Sequence, residues 1–446
     1  MSRVDFAVIG AGASGALVTV HLARTAPARS IALVGRGRAG QGIAYATADP
    51  EHILNVPAAG MSAFPDAPDH FVAWLRDRGL PFAAHDYVPR SHFGTYLHDL
   101  LSASCTPLRI VSQATGISRS PRGLLVEVEG REQLEAATVI LATGMLVPPI
   151  QPALRGIARR AWDPDALEQL TSEDDVLLLG TGLTMVDVVL TLCRRRHRGT
   201  LHALSRHGLL PTSHAPAPLV APLSAVPPRR LPGRLCEVVR LIRLATCQEA
   251  AHGGDWRAVI DALRPATAEI WTGFDLADRR RFLRHLRVYW DIHRHRMAPE
   301  AGHALSRLRQ SGQLRVHAGR IESVRRENGA VHVGWRERAT GRRTSTRVSH
   351  VIDCATAAGL PEGESPLIQA AQAEGLVCLD PLGLGIETAS LGQAIGSDGV
   401  SSRLFAVGAL RRFERWESTA VPELRIQAAT LARHLAERAG DRCAAI

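Results

Sequence analysis

Two glycine clusters carry the residue types and spacing that bind phosphate: Gly10-Ala11-Gly12-Ala13-Ser14-Gly15 and Gly180-Thr181-Gly182-Leu183-Thr184-Met185. A strand that turns on glycine into a helix aims free backbone N–H groups and a positive dipole end at one point, which suits a pyrophosphate. Glycine permits the tight turn, the close approach of the phosphate and the packing of helix on strand. Two such clusters in one chain read as sites for two dinucleotides. Other chemistries find no support. There is no Gly-x-Ser-x-Gly elbow for a triad hydrolase. His285, His293, His295 and His303 contain no pair four residues apart, and read as solvated helix residues rather than metal ligands. The chain contains no lysine, so all 53 basic residues are arginine. That excludes Schiff-base chemistry and the lysine-bearing phosphate loop of nucleoside triphosphatases.

The elements that must position these clusters follow from apolar patterning. Val4–Ile9 and Val176–Leu179 are short apolar strands ahead of the two clusters; Ala16–Ala23 and Val186–Cys193 are helical patterns behind them. The first β–α–β unit runs from Val4 to Val34, with helices expected at Asp69–Asp77 and His92–Leu101. Strands are expected at Leu108–Val111, Leu124–Val128 and Ala137–Ala142, the last closed by Thr143-Gly144. Pro148, Pro149 and Pro152 then mark a domain crossing. The second unit starts near Asp175 and includes a strand at Thr200–Leu204, followed by a proline-rich extended segment, Pro211–Pro232. Arg234–Leu308 reads as mostly helical, and its stripe Phe282, Leu283, Leu286, Tyr289 and Trp290 as core packing. Strands resume at Leu314–His317, Ala330–Trp335, His350–Ile352 and Leu404–Val407, before a closing helix at Val421–Leu435.

The expected fold is therefore α/β, with two Rossmann-like dinucleotide-binding domains, the second inserted into the first, and an added helical segment. The expected division is 1–150 for the first part of one domain, 151–345 for the second domain with its helical insertion at 234–308, and 346–446 for the return.

Composition bounds the class. A chain of 446 residues exceeds one ordinary core, and a mean hydropathy of -0.01 describes a soluble globular protein. No uninterrupted membrane span is present, since Gly180, Gly182 and Asp187 break the most apolar run, Val176–Cys193. The apolar N-terminus carries the first phosphate loop and lacks a basic leader, so a cytoplasmic location is expected. Seven scattered cysteines with no C-x-x-C pair argue against a disulfide framework and a dithiol redox centre. The formal charge of +10 is spread along the chain with few interleaved aromatics, which fits polyanionic cofactors better than nucleic acid.

These residues resemble the two-dinucleotide flavoprotein superfamily, and more narrowly the bacterial FAD-NAD(P)-binding proteins, which are similar to flavin-containing and N-hydroxylating monooxygenases. The resemblance spans nearly the whole chain. Its most particular pieces are Val8 to Gly15, Gly42-Ile43-Ala44-Tyr45, Leu54-Asn55-Val56-Pro57, Leu141-Ala142-Thr143-Gly144, Gly180 to Asp187, and Trp416 to Glu423. It implies that the first loop binds FAD and the second NADPH or NADH. Two departures stand out. Gly35 occupies the place where such proteins hold an acidic residue for the adenosine ribose, which should weaken FAD, with Arg36 covering the adenine or meeting a phosphate; the other reading makes Gly35 a simple turn residue. Leu154 to Arg160 is only a faint echo of the aromatic-x-Gly-x-x-x-His run of flavin-containing monooxygenases, and is not carried over.

By the same resemblance Asn55 faces the flavin, where its amide donates to an oxygenated flavin or to the nicotinamide carboxamide. The alternative is an asparagine that satisfies loop backbone. Ser205-Arg206 follows the next strand, where an arginine without an acidic neighbour favours a 2′-phosphate and so NADPH. Gly408 is placed beside the ribityl phosphate chain, and Thr419 and Ala420 ahead of a helix whose N-terminus favours charge on the reduced ring. Glu417 and Glu423 are substrate contacts or first-turn carboxylates. The implied activity is an FAD-dependent, NADPH-consuming oxidoreductase, a monooxygenase using molecular oxygen on a small nucleophilic substrate. The alternatives are a flavin reductase or dehydrogenase without oxygen insertion, and a non-catalytic dinucleotide-binding protein.

Overall fold

The structure, a computed structural model, describes residues 2–104, 107–145, 149–163, 165–216, 233–355, 359–360 and 365–444, the side chains of 439–444 excepted. Pro148, Cys105, the side chain of Cys443 and residues 217–232 of the proline-rich segment lie outside them.

The chain opens with β1 (Ser2–Ile9), α1 (Ala13–Thr25), β2 (Ile31–Val34), the one-turn α2 (Gly42–Tyr45), α3 (His70–Asp77), α4 (Arg90–Ser104), β3 (Leu108–Ile110), β4 (Ala114–Ser120), β5 (Gly123–Val128) and β6 (Leu134–Leu141). It then builds β7 (Ala158–Arg160), β8 (Val176–Leu179), α5 (Leu183–Arg194) and β9 (Leu201–Ser205). A helical insertion follows: α6 (Leu235–Ala251), α7 (Trp256–Leu263), α8 (Thr267–Gly273), α9 (Leu276–Arg281), α10 (Arg287–Arg294) and α11 (Pro299–Gln310). The second sheet is completed by β10 (Leu314–Glu327), β11 (Ala330–Glu337), β12 (Arg343–Val348) and β13 (His350–Asp353). The chain returns through α12 (Pro366–Ala373), β14 (Gln393–Gly396), β15 (Gly399–Ala406) and α13 (Val421–Ala444).

Two sheets result. The first runs β14-β15-β6-β1-β2-β3, with the β4–β5 hairpin paired to β6; the second runs β12-β11-β10-β9-β8-β13-β7. In each, a parallel core carries an antiparallel extension: β1 is parallel to β2 and β6, and β8 to β9 and β13, whereas β10–β11 and β11–β12 are antiparallel. Strands covered on both faces must be apolar at successive positions. Accordingly Phe6 and Val8 face one core with α1, α4 and α13, while Ala7 and Ile9 face another with β4, β5 and α12. Val176 and Leu178 likewise pack on the α5 side of the second sheet, and Leu177 and Leu179 on the other. This is the expected α/β fold of two Rossmann-like domains, one inserted in the other.

Three expectations change. β4 and β12 had no counterpart in the sequence reading, because their polar, alternating residues show no apolar run; each is half of an antiparallel hairpin. The return to the first sheet was set after residue 345, but β13 pairs with both β7 and β8, so His350–Asp353 belongs to the second sheet. The helical stripe packs as a core through Phe282, Leu283, Leu286 and Trp290, whereas Tyr289 is exposed. No helix among the described residues is long and apolar enough to cross a membrane.

Candidate functional site

In the first loop Gly10 lies at φ +114°, and a Cβ there would sit 2.2 Å from the Ala142 carbonyl oxygen. A Cβ on Gly15 would sit 1.8 Å from the Gly10 carbonyl oxygen, so helix and strand touch backbone to backbone. Gly12 occupies the N-cap of α1 with no side chain over the helix end. Ala11 is buried, and Ala13 and Ser14 are half-buried in the first turn. Gly408, at φ +82°, brings the C-terminal return to the same point: a Cβ there would lie 3.2 Å from Ser14 Oγ. Its N–H donates to Gln427 Oε1 at 3.1 Å. Thr143 and Gly144 close β6 alongside, and the buried Thr143 Oγ1 has no protein partner. Thr419, exposed, and Ala420, half-buried, lead into α13, while Arg36 is exposed at the tip of β2. A side-chain-free helix end ringed by an unpartnered hydroxyl and two glycines of positive φ fits a dinucleotide pyrophosphate.

The second loop repeats the design. Gly180 lies at φ +99° and its N–H donates to the Leu204 carbonyl at 2.8 Å. Gly182 caps α5, and a Cβ added there would meet nothing within 4 Å, so its glycine identity serves no contact within the chain. Leu183 and Thr184 form the half-buried first turn. Ser205 is engaged inside its own loop, accepting from the Gly208 N–H at 3.0 Å and lying 2.9 Å from Thr181 Oγ1. Arg206 is exposed beside it.

Asn55 lies half-buried at the seam between the two domains. Its carbonyl is 3.0 Å from His214 Nε2, the nitrogen that donates, and the His214 ring lies against Tyr87 at 5.2 Å. Burial, helped by Arg296, pushes the His214 imidazole down to about 4, so it is neutral at physiological pH. The loop leading to Asn55 is bolted onto α5. Arg90 donates from Nε to the Ile53 carbonyl at 3.1 Å and meets the buried Asp187 carboxylate at 2.8 Å. Asp49 accepts from Thr191 Oγ1 at 2.7 Å and from Arg194 Nε and NH2 at 3.1 Å each. His52 Nε2 lies 2.9 Å from the same threonine. Burial raises the Asp187 carboxyl to about 6 against the pull of Arg90.

Residues 7–146 match the model of a family described as FAD-NAD(P)-binding. The whole chain is similar in fold to the ornithine N-hydroxylase of Kutzneria sp. 744, in a structure holding reduced FAD, NADP+ and L-ornithine: TM-score 0.68 at 16% identity, covering 98% of this chain and 100% of that one. Similar too are the reduced ornithine hydroxylase of Pseudomonas aeruginosa (TM-score 0.66, 13% identity, 98% and 100% covered) and the Lactococcus lactis thioredoxin reductase (0.55, 12%, 97% and 98%). None of the curated proteins matches the sequence.

The C-terminal return also meets the helical insertion, through an ion cluster just ahead of α13 and in its first turn. Glu417 accepts from Trp290 Nε1 at 2.9 Å and lies 3.4 Å from Arg294 NH2. Burial opposes its ionisation, but His295, Arg294 and the indole N–H outweigh it and hold the carboxyl below its ordinary value. Glu423 takes a two-pronged bond from Arg264, at 2.6 and 2.9 Å. Both glutamates therefore have arginine partners in the insertion, which is more than a first-turn carboxylate needs. Among the described residues no group of His, Cys, Asp and Glu is assembled as a metal site, and Cys193, Cys236, Cys247, Cys354 and Cys378 are free thiols. Arg90, Asp187, Asp49, Arg194 and His214 were not legible beforehand, because only the docking of two domains brings such distant residues together; Asp187 alone lay inside a quoted motif.

Proposed function

We propose that the chain is an FAD-dependent, NADPH-consuming oxidoreductase of the monooxygenase kind, acting on a small nucleophilic substrate such as an amine. The observation that carries this is the bolting of the Asn55 loop onto α5, the helix that opens the second cradle. Chemistry between two nucleotides requires that the groups at their junction keep a fixed position relative to both. FAD belongs to Gly10–Gly15, Arg36, Thr143, Gly144, Gly408, Thr419 and Ala420, and NADPH to Gly180, Gly182, Leu183, Thr184, Ser205 and Arg206. Bound there, the pair supplies hydride transfer to flavin and activation of oxygen. Asn55 places an amide donor at the seam, and the neutral His214 holds its backbone still. The TM-scores support the oxygenating reading, 0.68 with an ornithine N-hydroxylase against 0.55 with a thioredoxin reductase, as does the lack of a C-x-x-C pair in the sequence. The proposed location is the cytoplasm.

The test is NADPH oxidation by the FAD-loaded protein, followed under air and under nitrogen with a panel of small amines and mass detection of products. One NADPH, one O2 and one proton should yield NADP+, water and a product heavier by one oxygen. Equal turnover under nitrogen with an artificial acceptor, and no oxygenated product under air, would instead establish a reductase.

A further inference from the structure

In a nucleotide-binding β–α–β unit the tip of the second strand lies beside the adenosine ribose. A carboxylate there accepts from the free hydroxyls, and arginine there accommodates a ribose phosphate. In this chain the tip is Gly35-Arg36-Gly37-Arg38. A Cβ on Gly35 would sit 2.6 Å from the Ala11 nitrogen and 2.9 Å from the Ala11 Cβ, so the strand tip rests directly on the phosphate loop. No carboxylate-bearing side chain fits at that position without moving the loop. Arg109, on β3, secures the arrangement. Its NH1 donates to the carbonyls of Leu33 at 2.9 Å and Ile110 at 3.0 Å; its NH2 donates to those of Gly35 at 2.8 Å and Gly37 at 2.9 Å. Arg36 and Arg38 are exposed, and among the described residues neither they nor Arg109 has an ion-pair partner. Arg36, Arg38 and Arg109 thus bring three permanent cations to the strand tip, and among the described residues no carboxylate pairs with any of them.

We propose that the first cradle takes an adenosine diphosphate whose ribose carries a further phosphate, in competition with FAD. The inference rests on residues 7–146 forming a dinucleotide cradle, and not on the oxygen reaction. The adenosine ribose of FAD offers hydroxyl donors to a corner whose nearest carbonyls, of Gly35 and Gly37, each already accept from Arg109. A ribose phosphate instead offers acceptor oxygens to planar arginine forks, the better match in charge and geometry. A 2′-phosphate is supplied by NADPH and a 3′-phosphate by nucleotides of the coenzyme A type. If NADPH is the source, excess NADPH expels FAD from the first cradle, and added FAD restores turnover.

The experiment uses the full-length protein freed of flavin, with FAD binding read by quenching of flavin fluorescence. Adenosine 2′,5′-bisphosphate, adenosine 3′,5′-bisphosphate and ADP serve as competitors. One bisphosphate should displace FAD at a concentration about tenfold or more below that needed for ADP, an advantage that shrinks as salt rises. Which one does so identifies the phosphate position. The double variant Arg36→Ser, Arg38→Ser, altered only at exposed side chains, should erase most of that advantage, read as the ratio of bisphosphate to ADP affinity within the same protein. Equal displacement by all three nucleotides, or an advantage that survives the double variant, would overturn the proposal. Gly12→Ala separates this from the cradle assignment: its Cβ would meet Gly42 Cα at an ordinary 3.5 Å, so the fold tolerates it. FAD binding unchanged in that variant would overturn the cradle itself.

Discussion

Single residues divide into those whose identity the fold requires and those whose identity it leaves open. Gly10 and Gly15 belong to the first kind, since any Cβ there collides with backbone. Gly182 belongs to the second, with open space where its side chain would be. Gly182→Ala should therefore leave the thermal midpoint nearly unchanged, a Gly-to-Ala change at a helix N-cap costing about 1 kcal/mol or less. The same change should weaken NADPH binding at least tenfold by calorimetry, and equal affinity in both proteins would remove the second cradle from the cofactor's path. Asp187 gives a pH signature. Its carboxyl is raised to about 6 in the folded protein from 3.8, so between those values the native state holds the extra proton. Stability from this group is fully present below the lower value and is lost as pH climbs to the upper one, by about 3 kcal/mol. Asp187→Asn should flatten that part of the urea-unfolding profile between about pH 4 and 6. A slope identical to the parent's would show that Asp187 stays ionised throughout.

At the scale of elements, the helical insertion is fastened by apolar packing to Trp416, ahead of α13, and by charge to the first turn of α13. Trp271 and Phe282 meet Trp416 at ring distances of 5.1 and 5.2 Å, and beside them Arg264 grips Glu423. Removing one member of a partly buried pair strands the other. Arg264→Met should cost about 2 kcal/mol and speed amide exchange across 256–308 while the amides of β1 and β8 stay protected. Uniform acceleration throughout the chain would mean that the insertion and the sheets unfold as one unit. The elements also show what a sequence discloses. The strand–glycine–helix units were legible because period, length and turn residues agree at one place, from Val4 to Ala23 and again from Val176 to Cys193. β4 and β12 were not, since Thr115, Ser118 and Thr344 to Arg347 fill strands whose stability comes from their hairpin partners. The glycine residues of the candidate site were plain for the same reason as the strands. Its ion pairs were hidden, because Arg90 and Asp187 lie far apart in the sequence and meet only where the two sheets' helices pack together.

At the scale of the whole molecule, the two nucleotide units are joined by more than their covalent crossings. Asp49, His52 and Arg90 on one side meet Asp187, Thr191 and Arg194 on the other. β7 and β13, the strands by which the chain enters and leaves the second sheet, lie side by side. The inner unit thus has its two severable ends on neighbouring strands, as an autonomous module spliced into a host would. A fragment spanning 150–355, expressed alone, should fold cooperatively and retain NADPH affinity within about tenfold of the parent. Failure of that fragment to show a cooperative transition in circular dichroism would show that the host supplies part of its core. If the fragment folds, the unit is an exchangeable cartridge: a change of reductant would then need one contiguous stretch of gene to be replaced, together with the seam residues that face it.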